Sequence, residues 1–456
     1  MATTLAHRLD TAHTLLLRHF GFPAFRPAQR KVVQSVLAGR DVLAILPTGG
    51  GKSICFQVPA LALDGLTVVV SPLLSLMQDQ VEAARRRGLP AASLSSAQDA
   101  ADRDHTLALV RDGRVKLLYA SPERLEYLAG QLRDLGVHVG LLAVDEAHCI
   151  SEWGHDFRPS YRLLLAARVR LSQPPVIALT GSATPDVRDD IARSLRLGRA
   201  GRWDLHLASF DRPNLWFGVT RLHTEEERMK ALLTELDASP GTAIVYAPTR
   251  RLTEGLARSL HFAGHRSVAY HAGLPRERRE EVLHRFLAGK LDVVTATSAF
   301  GMGIDKPDVR LVVHWMLPPT PESYYQEAGR AGRDGRPGRC VLLHRAGDVV
   351  LHRRQLDVTF PARKIVERAW RDPAALARLP ANVRASVDRL RAELAPAEGD
   401  ADWSGVRARR RRADDRLAAM ERYASGHGCR RRMLLGYFGE LDVACHGCDR
   451  CRGSRP

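Results

Sequence analysis

The sequence predicts an α/β protein: two tandem, doubly wound parallel-sheet domains followed by a mostly helical, cysteine-bearing region. Three observations carry this. Short apolar, β-branched runs alternate with amphipathic helical patterns from about Asp41 to His344. The runs are continuously hydrophobic rather than alternating, as expected of strands buried on both faces of a helix-covered sheet. Beyond about Ala346 the strand pattern stops, and four of the seven cysteines fall between Cys429 and Cys451. A length of 456 residues suits about three domains.

Taken in order, the first series of strands is Asp41–Leu46, Thr67–Ser71, Val115–Ser121, Val139–Asp145 and Val176–Thr180. The second is Thr242–Ala247, Ser267–His271, Asp292–Thr297, Val309–Trp315 and Cys340–His344. Two such series make two domains more natural than one oversized sheet. The break falls near Trp203–Asn214, where the pattern lapses and Phe210–Asn214 supplies turn chemistry. The boundaries expected are 1–204 and 205–350 for the α/β domains, 351–404 for a helical insert and 405–456 for the cysteine region. Within the insert, Pro361–Arg371 and Ala381–Leu394 read as helices; a highly charged helix, Val406–Ala424, follows.

The charge is the first functional clue. Lys and Arg total 68 against 51 acids, a net charge of +17, which favours a polyanion partner, most simply nucleic acid. An Arg-for-Lys coding bias is the plainer account, but it need not create a deficit of acids. No apolar run approaches the ~20 residues of a membrane span. The segment Met1–Phe20 carries Asp and His and no small-residue cleavage site, so it is not a signal peptide. The expectation is a cytoplasmic protein (nucleoid-associated in a bacterium), monomeric, with no membrane partner. Cys55, Cys149 and Cys340 stand alone in apolar contexts and read as core residues.

The strand at Asp41 runs into Pro47-Thr48-Gly49-Gly50-Gly51-Lys52-Ser53 and then a helix start. Three glycines let backbone N–H groups converge on phosphate oxygens, Lys52 adds a point charge at the outer phosphates, and the Ser53 hydroxyl can ligate Mg²⁺. The strict phosphate-loop pattern wants glycine where Leu46 stands; the glycines nearest Lys52 still build the nest. The fourth strand ends in Asp145-Glu146-Ala147-His148. Carboxylates at the C-terminal end of a parallel strand lie where such sheets bind ligands. Asp145 is placed to hold Mg²⁺ and Glu146 to orient the attacking water. Downstream, if the stretch from Glu322 is helical, Gln326, Arg330 and Arg333 share one face. Two arginines presented from a second domain to a phosphate site on the first make an arginine finger in cis. Alone, each of these would read as an exposed acidic strand end or a solvated basic face; together they read as a phosphoryl-transfer site using Mg²⁺, and ATP as the nucleotide is what the resemblance given below implies.

Cys429, then Cys445-x-x-Cys448-x-x-Cys451, reads as a closed, tetrahedral structural Zn²⁺ site. Four thiolates complete the shell, so His427 and His446 fall outside it.

These pieces, in this order, resemble a superfamily-two helicase of the RecQ family, over about residues 12–345 and again 413–453. The resemblance implies two RecA-like domains and the following roles. Phe22, Arg26 and Gln29 in FGFPAFRPAQ match the adenine-reading motif. LPTGGGKS (with Thr48) and DEAH match the ATP motifs. In LTGSATP, Ser182 and Thr184 would couple the domains. Gly303 and Asp305 in ATSAFGMGIDKPDVR would lie near the nucleotide, and QEAGRAGRDG gives Arg330 and Arg333 the finger role. CISEWGHDFRPSY resembles the aromatic-rich loop that senses single-stranded DNA. Trp153, His155 and Phe157 would offer stacking faces, and Arg158 a phosphate or cation–π partner. Ser71, Ser75, Ser121, His271 and Thr295 match positions that contact the DNA backbone.

One departure stands out. RecQ relatives usually continue past the zinc site into a winged-helix domain that contacts duplex; here five residues follow Cys451. Residues 351–404, longer than the usual connection, either replace that wedge, being helix-turn-helix-like, or are a helical spacer. The resemblance implies an ATP-dependent helicase with 3′ to 5′ polarity acting on single-stranded and branched or duplex DNA, in repair or recombination. Alternatives are a DNA-stimulated ATPase that translocates, anneals or remodels protein–DNA complexes without efficient unwinding, an RNA helicase, and a zinc-mediated docking protein with an inert ATPase. Intact Lys52, Asp145 and Glu146 oppose the last.

Overall fold

The computed structural model describes residues 4–451, except 48, 96–97, 153, 155, 199–200, 202, 302–305 and 395–400. The chain divides into two units, each carrying one parallel sheet. The first comprises 1–212 with 301–305 and 435–443; the second takes 213–300, 306–434 and 444–456.

The first unit holds seven strands: β1 Asp41–Ile45, β2 Leu66–Val70, β3 Ala91–Leu94, β4 Leu117–Ala120, β5 Val139–Val144, β6 Val176–Thr180 and β7 Trp203–Leu207. Their order in the sheet is β3-β4-β2-β5-β6-β1-β7, with every pairing parallel. Strands β1, β2, β4 and β6 are buried along their whole length, as their uninterrupted Val, Ile and Leu require. The second unit holds β8 Leu215–Arg221, β9 Thr242–Tyr246, β10 Ser267–Tyr270, β11 Val293–Ala296, β12 Val309–His314 and β13 Gly338–His344, in the order β10-β11-β9-β12-β13-β8, again parallel.

Three strands escape the sequence pattern, and each lies at a sheet edge: β3, β7 and β8. β3 is short and small-sided, and β8 is buried over Leu215–Gly218 before Thr220 and Arg221 turn polar. In β7, Trp203 to Leu207 alternate between exposed and half-buried, and this strand occupies the start of the stretch where the pattern lapses.

Beyond its sheet, the second unit carries the helices Asp348–Thr359, Arg363–Arg371, Pro373–Ala377, Ala381–Leu394 and Ser404–Ser425. Several of them enclose a core of their own, built on Val366, Ala369, Val387, Leu390, Leu394, Trp403 and Val406. Trp370 stacks on Trp403 with ring centroids 6.2 Å apart. In the first unit, Phe438 stacks on Phe210 at 4.6 Å, and Glu440 accepts hydrogen bonds from the Phe210 amide and the Ser209 hydroxyl.

A buried ion pair closes the base of the first sheet. Arg168 and Asp41 meet at 2.7 Å with side chains 6% and 5% exposed. Asp41 also accepts from the Val176 and Gly198 amides, at 2.9 Å each. Asp41→Ala leaves the Arg168 charge buried and unpaired, which typically costs about 3–5 kcal/mol. Chemical denaturation of the variant is expected to show a loss in that range, whereas truncating an exposed pair such as Arg111–Asp112 costs less than about 1 kcal/mol.

Candidate nucleotide and zinc sites

In the first unit, β1 ends at Ile45 and the helix Ile54–Ala62 begins nine residues on. Between them, Gly49 and Gly51 adopt positive φ, +81° and +72°, which an L side chain disfavours. Gly51 has a second reason to be glycine: a Cβ there would lie 2.4 Å from Nε2 of Gln29. That amide donates to the Gly50 and Gly51 carbonyls at 3.0 and 3.3 Å, and Arg26 Nη1 donates to the Gly49 carbonyl at 2.7 Å. Gln29 Oε1 in turn accepts from the Arg26 amide at 3.0 Å. Three consecutive carbonyls are thus tied from one side, and the Gly50 amide turns inward to the Pro47 carbonyl at 2.8 Å, which leaves the Gly49, Gly51 and Lys52 amides for an anion on the other side. Arg26 and Gln29, singled out as adenine readers, here hold the loop. Phe22 nearby is half exposed, an available stacking face. Thr48 lies outside the described residues.

Asp145 follows β5 directly and is 5% exposed. Its Oδ2 accepts from Gln80 Nε2 and its Oδ1 from the Glu146 amide, both at 3.0 Å; its carbonyl accepts from the Tyr161 hydroxyl at 3.2 Å. Burial, reinforced by the Glu146 charge, raises its pKa; Lys52 and Gln80 oppose that. A buried carboxylate beside Lys52, in a site that also carries the Ser53 hydroxyl, is a hard-oxygen donor set that fits Mg²⁺.

Glu146 holds a left-handed backbone, φ +48°, a conformation that costs about 1–3 kcal/mol for a non-glycine residue. His148 Nδ1 lies 3.3 Å from Glu146 Oε2 and 2.8 Å from Thr180 Oγ1, and Thr180 Oγ1 also accepts from the Ser182 amide at 3.3 Å. Burial alone would lower the His148 pKa, but Cys149 and Glu146 outweigh it and raise it. Thr180 thereby joins the carboxylate pair to Ser182, while Thr184 opens the helix Pro185–Ser194.

The loop after His148 is fastened at several points. Ser151 donates to Asp190 at 2.6 Å, Arg158 Nη1 to the Pro72 carbonyl at 2.7 Å, and the Arg158 amide to the Cys149 carbonyl at 2.9 Å. Arg158 is therefore committed to protein, contrary to its reading as a phosphate or cation–π partner; the guanidinium over the Phe157 ring is that of Arg162, at 5.3 Å. His148, Cys149 and Asp156 also converge, but Asp156 is already bound by Cys149 and Arg158. Trp153 and His155 lie outside the described residues. Ser71 is fully buried; Ser75 lies in the helix Leu74–Arg86 and Ser121 caps the helix Pro122–Asp134.

In the second unit the helix Pro321–Ala328 ends before the arginines. Gln326, Arg330 and Arg333 accordingly do not share a helical face, a correction to the sequence reading. Arg330 and Arg333 sit in a turn locked by Gly332 (φ +54°), whose carbonyl accepts from Asn214 Nδ2 at 2.8 Å. Arg330 is 8% exposed. Tyr246, whose hydroxyl donates to the Phe300 carbonyl at 2.6 Å, also hydrogen-bonds Arg330. Burial raises the Tyr246 pKa, so the phenol keeps its proton. Glu327 is held by His314 at 2.9 Å. Gly303 and Asp305 lie outside the described residues. His271 is buried against Glu254, and Thr295 is fully buried with its hydroxyl given to the Thr253 carbonyl at 2.8 Å. Neither presents itself to a DNA backbone.

The sulfur atoms of Cys429, Cys445, Cys448 and Cys451 all lie within 4.8 Å of one another, and His427 and His446 are outside the group and exposed. Burial would raise the Cys448 thiol, but the Arg450, Arg430 and Cys451 amides pull it down to about 7. Burial and the neighbouring sulfurs push Cys445 and Cys451 the other way. One thiolate is welcome there and several together are not, unless a cation joins them, which fits Zn²⁺. Arg430, fully buried, pairs with Asp449 at 2.9 Å, and the Asp449 amide donates to the Phe217 carbonyl at 3.0 Å, pinning the cysteine loop to the edge of β8.

A glycine loop before a helix, a buried acidic pair at a neighbouring strand end and a Cys₄ group define a nucleotide-driven α/β motor with a structural metal. Comparisons specify the family. Residues 26–191 match the DEAD/DEAH box helicase family, 227–335 the helicase conserved C-terminal domain and 391–452 the RecQ zinc-binding family. The chain is 36% identical over 450 residues to the ATP-dependent DNA helicase RecQ of Bacillus subtilis, covering 98% of this chain and 68% of that protein. It is 43% identical over 340 residues to the probable ATP-dependent DNA helicase RecS of the same organism, covering 74% and 67%. Among solved structures, the DUF1998 helicase MrfA bound to DNA superposes with a TM-score of 0.60 at 18% identity, covering 76% of this chain and 52% of that one. Saccharomyces cerevisiae Dbp5 bound to RNA and ADP BeF3 gives 0.59 at 16%, covering 78% and 93%. At such identities the likeness concerns the fold alone. The chain belongs to the RecQ family of ATP-dependent DNA helicases, which use Mg·ATP and carry a structural zinc.

Sequence reasoning missed Gln80, Tyr161, Thr180, Tyr246 and Glu327. Tyr161, Thr180 and Glu327 lie inside quoted motifs, but each bonds a partner outside its own motif, so the motif alone does not reveal its role.

Cys445→Ser is expected to lower bound zinc from one equivalent per chain and to lower stability and folding yield together. Full zinc content and an unchanged melting temperature would contradict a Cys₄ site.

Proposed function

We propose that this protein hydrolyses ATP to move 3′ to 5′ along single-stranded DNA and separate duplexes, in DNA repair or recombination. The observation that carries the reading is the fastened chain of contacts from Asp145 and Glu146 through His148 and Thr180 to Ser182, beside a loop that resembles a single-strand sensor. Occupancy of that loop by a strand would be felt at the carboxylates through backbone only a few residues long.

We assign the roles as follows. The amides of Gly49, Gly51 and Lys52 bind the outer phosphates, with Gly50 shaping the turn through its bond to the Pro47 carbonyl and Phe22 against the base. Ser53 and Asp145 hold Mg²⁺, which neutralises charge on the phosphate oxygens. Glu146 orients the attacking water and takes its proton, its carboxylate fixed by His148. Arg330 and Arg333 supply the positive charge that the transition state needs, and Tyr246 positions Arg330. Sites for the strand include Phe157 with Trp153 and His155, and Ser75 and Ser121.

Lys52→Ala is expected to reduce DNA-stimulated ATP hydrolysis to background, and retained hydrolysis would overturn the assignment. On partial duplexes, ATP-dependent displacement is expected with a 3′ single-stranded extension and not with a 5′ one; turnover without displacement would favour an annealing or remodelling ATPase. Tyr246→Phe removes a hydrogen bond to a charged group, worth about 1.5–3 kcal/mol. Its kcat is therefore expected to fall roughly tenfold or more with little change in KM. A cycle with Arg330→Ala should be non-additive, and additive losses would mean that Tyr246 acts elsewhere.

A further inference from the structure

The two family matches in the second unit end at residue 335 and resume at 391. Between them lies the helix Arg363–Arg371, packed into the small core through Val366 and Ala369. At 3.6 residues per turn, Lys364, Arg368 and Arg371 fall within about 60° of one another and on the side opposite that buried stripe. All three are exposed. Several other charges of this region are spoken for: Arg363 pairs with Glu367, Arg409 with Glu393, Arg389 serves the Thr359 carbonyl and Arg384 the Ala377 and Leu379 carbonyls. Among the described residues, no carboxylate lies within ion-pair distance of Lys364, Arg368 or Arg371.

We propose that this face is a docking site for the phosphate backbone of double-stranded DNA, a contact that rests on the reading of the protein as a DNA motor. Seven residues of helix span about 10.5 Å, and one strand of B-DNA advances 3.4 Å per phosphate, so the three cations match a run of about three to four phosphates. A regular, stiff row of charges suits a duplex better than a flexible single strand, whose binding relies on stacking faces; Lys364, Arg368 and Arg371 have no exposed aromatic among them. The contact carries no base specificity. It would hold the unopened duplex while the α/β units work on the strand.

The test is the triple variant Lys364→Ala, Arg368→Ala, Arg371→Ala of the full chain, measured on a blunt duplex and on a single strand of equal length across a salt series. The slope of log affinity against log salt for the duplex is expected to shallow by about 0.9 per lost contact, roughly 2.7 in all. Single-strand affinity and single-strand-stimulated ATP hydrolysis are expected to stay as in the parent, and the charge-conserving variant Lys364→Arg, Arg368→Lys, Arg371→Lys should keep the parental slope. An unchanged duplex slope overturns the proposal, as does an equal loss on both substrates, which would assign the face to single strands. Absence of DNA-stimulated hydrolysis in the parent would instead remove the motor reading beneath it.

Discussion

Three loop carbonyls held by two side chains are what the candidate nucleotide site depends on. Peptide groups carry a donor and an acceptor, and a loop meant to bind an anion must keep its acceptors away. Gln29 and Arg26 do this for Gly49, Gly50 and Gly51. The arrangement explains why glycine is demanded twice over at Gly51, by its positive φ and by the side-chain amide that occupies the place of a Cβ. It also makes the helix Pro27–Leu37 part of the phosphate seat, since that helix presents Gln29 from its first turn.

The second dependence is electrostatic. Asp145 is buried, bonded by Gln80 and its neighbouring amide, and shares its surroundings with Lys52 and Glu146. Such a carboxylate is costly unless cations complete it. The strained backbone at Glu146, the His148 contact and the Thr180 hydroxyl place this cost beside segments that lead to the aromatic-rich loop and to the helix Pro185–Ser194. Strain and buried charge held in one network can be passed on when any member of it moves, which is the property a strand-coupled ATPase requires.

Much of this was legible in the sequence. Central strands announced themselves because burial on both faces demands uninterrupted Val, Ile and Leu, and the glycine loop, the acidic pair and the cysteines are local in sequence. The edge strands Ala91–Leu94, Trp203–Leu207 and Leu215–Arg221 were not legible: the first is four residues built mainly of Ala and Ser, the second alternates because it is half-covered, and in the third Gly218 and the polar end Thr220-Arg221 break the apolar run. The arginine segment misled because a helical period continues smoothly past Ala328, whereas the helix ends there and Gly332 takes a left-handed backbone. Arg158 misled for another reason: its partner, the Pro72 carbonyl, is 86 residues away, and nothing local distinguishes a guanidinium committed to protein from one awaiting phosphate. Thr295 and His271 illustrate the same limit, being bonded to the Thr253 carbonyl and to Glu254.

The most direct measurement is a crystal structure of the protein with Mg·ADP. The account predicts the β-phosphate within hydrogen-bond distance of the amides of Gly51 and Lys52, with Gln29 and Arg26 still bound to the loop carbonyls and Asp145 on the magnesium side. A nucleotide bound away from this loop, or loop carbonyls released from Gln29 and turned toward the phosphates, would contradict it.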